Sequence, residues 1–138
     1  MSLDHPFWHS RIARILPPLL CMAGIFALSS RSELPKPSSI SADIFSTMGH
    51  FGAYFSLGVT LWWVLGLGRF TTRTRVLLAW GGAILYGVTD EFHQSFVPHR
   101  TPDIRDILVD TIGSIIGIGV ALLVTRWLES RRGTVNGA

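Results

Sequence analysis

An all-α membrane bundle of four transmembrane helices is the fold class this sequence predicts. Three observations predict it. Only 15% of the 138 residues are charged and 48% are hydrophobic, whereas a soluble domain averages about 25% charged. Four long apolar runs, separated by charged stretches, take up more than half of the chain. None of them alternates as a half-buried strand does. The hydrophobicity excludes a disordered chain. A lone cysteine, Cys21, excludes an intrachain disulfide and any zinc cluster of paired cysteines. It sits inside an apolar run and reads as an inert small hydrophobe.

A helix needs roughly 20 apolar residues, at about 1.5 Å each, to cross a hydrocarbon core. The first run extends from about Ile12 to Ser29, the second from about Gly49 to Leu67, the third from about Val76 to Phe92 and the fourth from about Ile107 to Leu128. All four carry Gly or Pro inside, which membrane helices tolerate better than soluble ones. The alternative is a soluble bundle, whose helices would need polar outer faces. Leu57–Leu67 and Ile112–Val124 are apolar on every side apart from Thr60 and Ser114. The first run has a second reading: Arg11 and Arg14 before an apolar stretch that ends Ala27-Leu28-Ser29 resemble a cleavable signal peptide. Pro17-Pro18 weakens the helix there but is tolerable near its start.

The charges orient the bundle. Arg11 and Arg14 precede the first run, Arg69, Arg73 and Arg75 fill the second loop, and Arg126, Arg131 and Arg132 follow the fourth run. Arg31, Lys36, Arg100 and Arg105 lie on the other side, diluted by Glu33, Asp43, Asp103 and Asp106. The positive-inside rule then places both termini in the cytoplasm. The longer loops, about Ser30–Met48 and His93–Asp106, face outward. The net charge of +3 thus reflects topology, and no nucleic-acid motif accompanies it. Pro35-Lys36-Pro37-Ser38-Ser39 reads as loop, the tail Arg131–Ala138 as frayed, and residues 1–138 as a single membrane domain.

Ionisable groups in a membrane helix are expensive, so their places are informative. His50 opens the second run, and Asp90, Glu91, His93 and Gln94 close the third. Asp106 and Asp110 open the fourth. In the alternating topology all of these lie at the outer boundary. His50 and Tyr54 are four apart and share a helix face. Tyr86, Asp90 and Gln94 repeat every four, and Asp103, Asp106, Asp110, Gly113 and Gly117 follow steps of three and four. The acids of the fourth run therefore continue into a small-residue seam that faces the bundle or a second copy in a homo-oligomer. Several groups have plainer roles: Asp103 as a helix cap, Tyr54 as a belt aromatic, His99 as a solvated loop residue.

The stretches Gly49-His50-Phe51-Gly52-Ala53-Tyr54 and Asp90-Glu91-Phe92-His93-Gln94-Ser95-Phe96-Val97-Pro98-His99-Arg100, with Asp106 and Gly113, resemble the VanZ-like membrane proteins. That family's pattern has a His-Phe-x-x-Tyr element, then Asp-Glu-x-x-Gln, a Pro-x-Arg loop and an Asp-led final helix. The resemblance covers about residues 29–119. Two positions depart from the pattern. Thr47 stands where a Lys is common, and Asp110 where an Asn is common, which makes the site more acidic; Arg31 or Lys36 is a candidate replacement for the Lys. The resemblance implies a multi-pass protein of the bacterial inner membrane. The family is named for a member linked to lowered susceptibility to teicoplanin, a lipoglycopeptide.

Two functional readings follow. In the first, the protein binds a lipid-linked envelope precursor or another lipophilic ligand at the outer leaflet, beside membrane lipids. Arg100 and Arg105 clamp a phosphate, and Tyr54, Asp90, Gln94, Asp106 and Asp110 bind the polar head. In the second, an intramembrane enzyme acts on a phosphorylated lipid or polyprenyl head group. His50 or His93 supplies a base or nucleophile, with Glu91 and the neighbouring acids orienting it or holding a divalent cation. The phosphate-binding glycine loop and His-Glu-x-x-His are both absent, so no catalytic motif or metal is specified. Proton-coupled transport fits less well, because its carboxylates should lie near the bilayer midplane.

Overall fold

The structure is a computed structural model that describes residues 11–32, 38–39 and 41–135. It contains four helices: α1 (Arg11–Ser29), α2 (Ala42–Leu65), α3 (Thr72–Gln94) and α4 (Ile104–Val135). α2, α3 and α4 pack against one another, most extensively α2 on α4. α1 leans on α2 and α3, and among the described residues it makes no packing contact with α4.

Local chemistry sets the helix ends. Ser41 Oγ accepts from the Ile44 N–H at 3.3 Å and starts α2. Thr71 Oγ1 accepts from the Thr74 N–H at 3.2 Å and starts α3. Asp103 Oδ1 accepts from the Arg105 N–H at 2.9 Å, which makes it the cap of α4. Arg75 closes the α2–α3 turn. Its Nε donates to the Trp62 carbonyl at 2.7 Å, and its guanidinium carbon stands 3.7 Å from the centre of the Trp62 ring. It thereby satisfies a carbonyl in the last turn of α2.

Two helix boundaries differ from those the sequence suggests. α2 begins at Ala42, seven residues before Gly49, because the cap lies at Ser41 where hydropathy gives no signal. Part of the expected outer loop Ser30–Met48 is therefore helix. α4 runs to Val135 where fraying was expected from Arg131, since an exposed polar helix can continue past an apolar span. Residues 33–37, Lys36 among them, lie outside the described set. Two helical stretches, α1 and Ile104–Arg132 of α4, are long and apolar enough to cross a membrane. α2 and α3 have the length, 24 and 23 residues, but each carries polar groups toward one end.

The distribution of polarity is inverted relative to a soluble bundle. Leu85 on α3 is 66% exposed, whereas Asp110 on α4 is 1% exposed. Exposed apolar side chains occur on every helix, for example Leu20 on α1, Met48 on α2, Phe92 on α3 and Leu123 on α4. Buried positions include Ser29, Asp90, Glu91, Gln94, Asp110 and Ser114. Water would penalise such an exterior (about 25 cal/mol per Å² of apolar surface), whereas lipid would not.

Small residues bring α2 and α4 together. A Cβ on Gly113 would stand 2.7 Å from the Phe51 carbonyl oxygen. Gly117 lies tighter still against the Phe55 carbonyl, as does Gly58 of α2 against the Ser114 carbonyl. With helices this close, dispersion contacts replace the hydrophobic drive that lipid removes. The seam read from the sequence is thus occupied by α2 of the same chain. Farther along, Trp62 Nε1 donates to Thr125 Oγ1 at 3.2 Å, and Trp80 Nε1 donates to the Thr111 carbonyl at 3.3 Å. We predict that Gly117→Val destabilises the bundle by about 1–3 kcal/mol and lowers the yield of folded monomer in detergent. Gly119→Ala, whose added methyl meets no atom within 4 Å, should leave thermal unfolding in detergent within about 0.5 kcal/mol of wild type.

Candidate functional site

The polar residues meet at one end of the bundle. The antiparallel α2, α3 and α4 place the first turns of α2, the last turn of α3 and the first turns of α4 side by side, and Ser29 ends α1 at the same level. His50 is the centre. Its Nδ1 lies 3.0 Å from Asp110 Oδ1 and its Nε2 lies 3.5 Å from Asp106 Oδ2. Only 12% of the His50 side chain and 1% of the Asp110 side chain is exposed. An ionised Asp110 carboxylate can only accept, so it pairs with the His50 tautomer that carries its proton on Nδ1.

Two neighbouring acids of α3 have different partners. Asp90 is saturated: its Oδ1 accepts from Ser29 Oγ at 2.6 Å and its Oδ2 from Gln94 Nε2 at 3.1 Å. Glu91 uses one oxygen only. Its Oε2 accepts from the Asp103 N–H at 2.9 Å, which ties the end of α3 to the cap of α4. Glu91 Oε1, Asp110 Oδ2 and the Tyr54 hydroxyl are buried with no hydrogen-bond partner among the described residues. Unpaired buried polar atoms are rare, and each implies a missing proton, water or ion. Gly87 marks where these groups pack on α3. A Cβ there would meet Asp110 Oδ2 and Tyr54 Cε1, both at 3.4 Å.

Arg100 arrives by a turn. The Arg100 N–H donates to the Val97 carbonyl at 3.2 Å, and His99 has φ of 62°. Pro98 at the second position and positive φ at the third define a type II turn. Histidine is among the few non-glycine residues enriched at positive φ. The turn carries Arg100 back across α1, where its Nε donates to the Arg31 carbonyl at 3.1 Å. Among the described residues no carboxylate lies within ion-pair distance of the Arg100 guanidinium.

A partly enclosed cavity of about 90 Å³ adjoins this cluster between α1, α2 and α3. Ile25, Leu28, Phe45 and Ala53 form apolar walls, and Ser29, His50, Tyr54, Asp90, Gln94 and Arg100 supply the polar end.

Of the residues singled out in the sequence, His50, Tyr54, Asp90, Glu91, Gln94, Arg100, Asp106 and Asp110 are gathered at this cluster or cavity. Two others are not. His93 turns toward α1, with Nε2 3.0 Å from Ser30 Oγ and its ring 4.5 Å from that of Phe26. The Arg105 side chain is exposed on the outside of α4. Each lies about a third of a turn away from the inward-facing stripe of its helix. Thr47 is exposed, and Arg31 contributes its carbonyl to Arg100. Sequence reasoning missed Ser29 as a site residue. Its only signal was a hydroxyl at the end of α1, level with the other polar groups. Ligand atoms of His50, Glu91 and Asp106 all lie within 4.8 Å of one another, the one such metal-competent group among the described residues.

Asp90 depends on α1 for half of its hydrogen bonding, which generates a stability test. Ser29→Ala leaves a buried carboxylate oxygen unpaired and should destabilise the protein by about 1–3 kcal/mol, read by thermal unfolding in detergent. The exposed Ser95→Ala should change it by less than about 0.5 kcal/mol.

The VanZ/LLP1 family model matches residues 6–125. An uncharacterized protein of Schizosaccharomyces pombe, C11E3.10, is 32% identical over 83 residues, which are 60% of this chain and 48% of that protein. The chain thus spans about half the length of the curated relative it matches. No solved structure matches. With the apolar helices and the inverted polarity, the family match identifies a membrane protein. The chain belongs to the VanZ/LLP1 family.

Proposed function

We propose that the protein crosses the membrane with all four helices, both termini in the cytoplasm. We further propose that it binds a lipid-linked or other amphiphilic ligand from the outer leaflet in the cavity between α1, α2 and α3. The observation that carries this reading is the polarity of that cavity: apolar walls from Ile25, Leu28, Phe45 and Ala53 lead to a polar end built by Asp90, Gln94, His50 and Arg100. An acyl or prenyl chain suits the walls. A phosphate suits Arg100, whose guanidinium has no carboxylate partner among the described residues.

Two further observations support the topology. Exposed apolar residues on α2 and α3 match those on α1 and α4. Arg11, Arg69, Arg73, Arg75, Arg126, Arg131 and Arg132 all lie toward the end opposite the site. The Ser29–Asp90 bond supports retention of α1, because removal of α1 would strip Asp90 of a partner. A polyprenyl phosphate or a phospholipid is the ligand class whose phosphate and apolar chain suit the two ends of the cavity. Altered teicoplanin sensitivity in a bacterial inner membrane is then a downstream effect of lipid binding.

A second reading, turnover of the phosphorylated head group, is favoured by His50 set between Asp106 and Asp110. In it His50 is the base and Glu91 assists; His93, turned toward Ser30, has no part.

The topology test uses a Cys21→Ser background. A cysteine replacing Ser95 should react with an impermeant maleimide from outside intact cells, and one replacing Arg69 only after permeabilisation. The reverse pattern refutes the orientation. The binding test uses a photoreactive polyprenyl phosphate in nanodiscs. Capture should saturate and map to α1 and α2. Ala53→Phe and Arg100→Gln should each reduce it by about tenfold, the loss of one good contact. Capture spread evenly over the outer face of α4 would refute the pocket. Release of inorganic phosphate that His50→Gln abolishes would establish the second reading.

A further inference from the structure

We propose that His50 Nε2 and carboxylate oxygens of Glu91 and Asp106 form a binding site for one divalent transition-metal ion.

With Asp110 ionised, the 3.0 Å contact pairs it with a proton on His50 Nδ1, and the neutral imidazole then carries its lone pair on Nε2, 3.5 Å from Asp106 Oδ2. A lone pair against a carboxylate is repulsive unless a proton or a cation lies between them. A charge-assisted N–H···O bond is about 2.7–2.9 Å long, and this separation is 3.5 Å. Two donors on one tetrahedral zinc, each about 2.05 Å from the metal, stand about 3.3 Å apart. The observed gap therefore resembles two ligands of a common ion more than a hydrogen bond. Glu91 brings the third donor within 4.8 Å of the other two, and closing the triad draws its carboxylate inward by at most about 1.5 Å.

An acidic cluster alone would not suffice. The independent observation is the state of Glu91. It is 4% exposed, and its Oε1 has no partner among the described residues. A buried carboxylate oxygen at the edge of this triad lacks a positive or donating neighbour, and a metal ion supplies one. The charge balance agrees. One neutral imidazole and two carboxylates neutralise a divalent cation.

The surroundings have the form of an outer coordination shell. Metal-bound histidines almost always donate their other ring N–H to a carboxylate or carbonyl, and Asp110 takes that place. Glu91 Oε2 is fixed by the Asp103 N–H. A nitrogen with two oxygens suits Zn²⁺ or Mn²⁺ better than Mg²⁺ or Ca²⁺, which prefer all-oxygen shells. Three protein ligands leave open positions, and His50 also lines the cavity. The inference goes beyond the amphiphile reading and does not require it.

The test uses the full chain in detergent, stripped with EDTA and titrated separately with Zn²⁺, Mn²⁺ and Mg²⁺. Bound metal is counted per chain after gel filtration. The expected result is one Zn²⁺ or Mn²⁺ per chain, with Mg²⁺ weaker by about 100-fold. Glu91→Gln and Asp106→Asn should each weaken binding by about 100-fold, and Asp110→Asn by about 10–100-fold. His93→Gln should bind as wild type. Co²⁺ should give visible absorption bands in wild type that His50→Gln removes. Glu91→Gln retains an acceptor for the Asp103 N–H; should it fail to fold, Asp106→Asn, 22% exposed, carries the test. Failure of folded wild type to bind stoichiometric metal overturns the proposal. So does uptake unchanged in Asp106→Asn and in any Glu91→Gln that folds. Capture of the photoreactive polyprenyl phosphate, run on the same EDTA-treated protein, separates the two readings. Lost metal uptake with capture intact counts against the metal site alone, and the converse counts against the pocket alone.

Discussion

Carboxylates gathered inside an apolar bundle require partners, and this requirement organises the polar end of the molecule. Asp90, Glu91 and Asp110 are each almost wholly buried. An uncompensated buried charge costs several kcal/mol, so each acid draws a partner from another part of the chain. Asp90 takes Ser29 from α1 and Gln94 from its own helix. Glu91 takes the backbone of Asp103 at the start of α4. Asp110 takes His50 from α2. These bonds lock the ends of four helices together, which lipid-facing apolar contacts cannot do with the same specificity.

The rest of the fold makes that convergence available. Glycines at 113 and 117 let α4 lie directly on the α2 backbone, which brings His50 within reach of Asp106 and Asp110. At Gly87 of α3 the Tyr54 ring and the Asp110 carboxylate come within van der Waals contact of where a Cβ would stand. Arg75 and Trp62 fasten the opposite end with a cation over an aromatic face and a capped carbonyl. The helices are therefore held at two levels, and the polar end carries the chemistry.

The site combines two properties seldom found together in a packing network. One is completeness at Asp90, where both oxygens are satisfied. The other is incompleteness around His50, where Glu91, Asp110 and Tyr54 each retain an unused polar atom. A network evolved for stability alone would close such bonds, because low dielectric makes every open one expensive. Open bonds beside a cavity with apolar walls are what a binding site for a charged head or an ion requires.

The sequence by itself determined the helices and the end of the bundle at which the polar residues gather. Apolar runs of membrane length and four-residue spacings such as His50–Tyr54 and Asp106–Asp110 are local properties, legible one segment at a time. Family membership was legible for the same reason, as ordered motifs along the chain. Only the tertiary structure decided which residues of each stripe meet. Helical spacing leaves the rotation of a helix ambiguous by about one residue step, roughly 100°. Glu91 and His93 flank the Asp90–Gln94 stripe on opposite sides, so either could face inward on paper, yet packing turns Glu91 into the cluster and His93 toward Ser30. Ser29 could be recognised only in three dimensions, because its importance comes from Asp90, 61 residues away. The start of α2 was likewise hidden, since a serine cap leaves no trace in hydropathy.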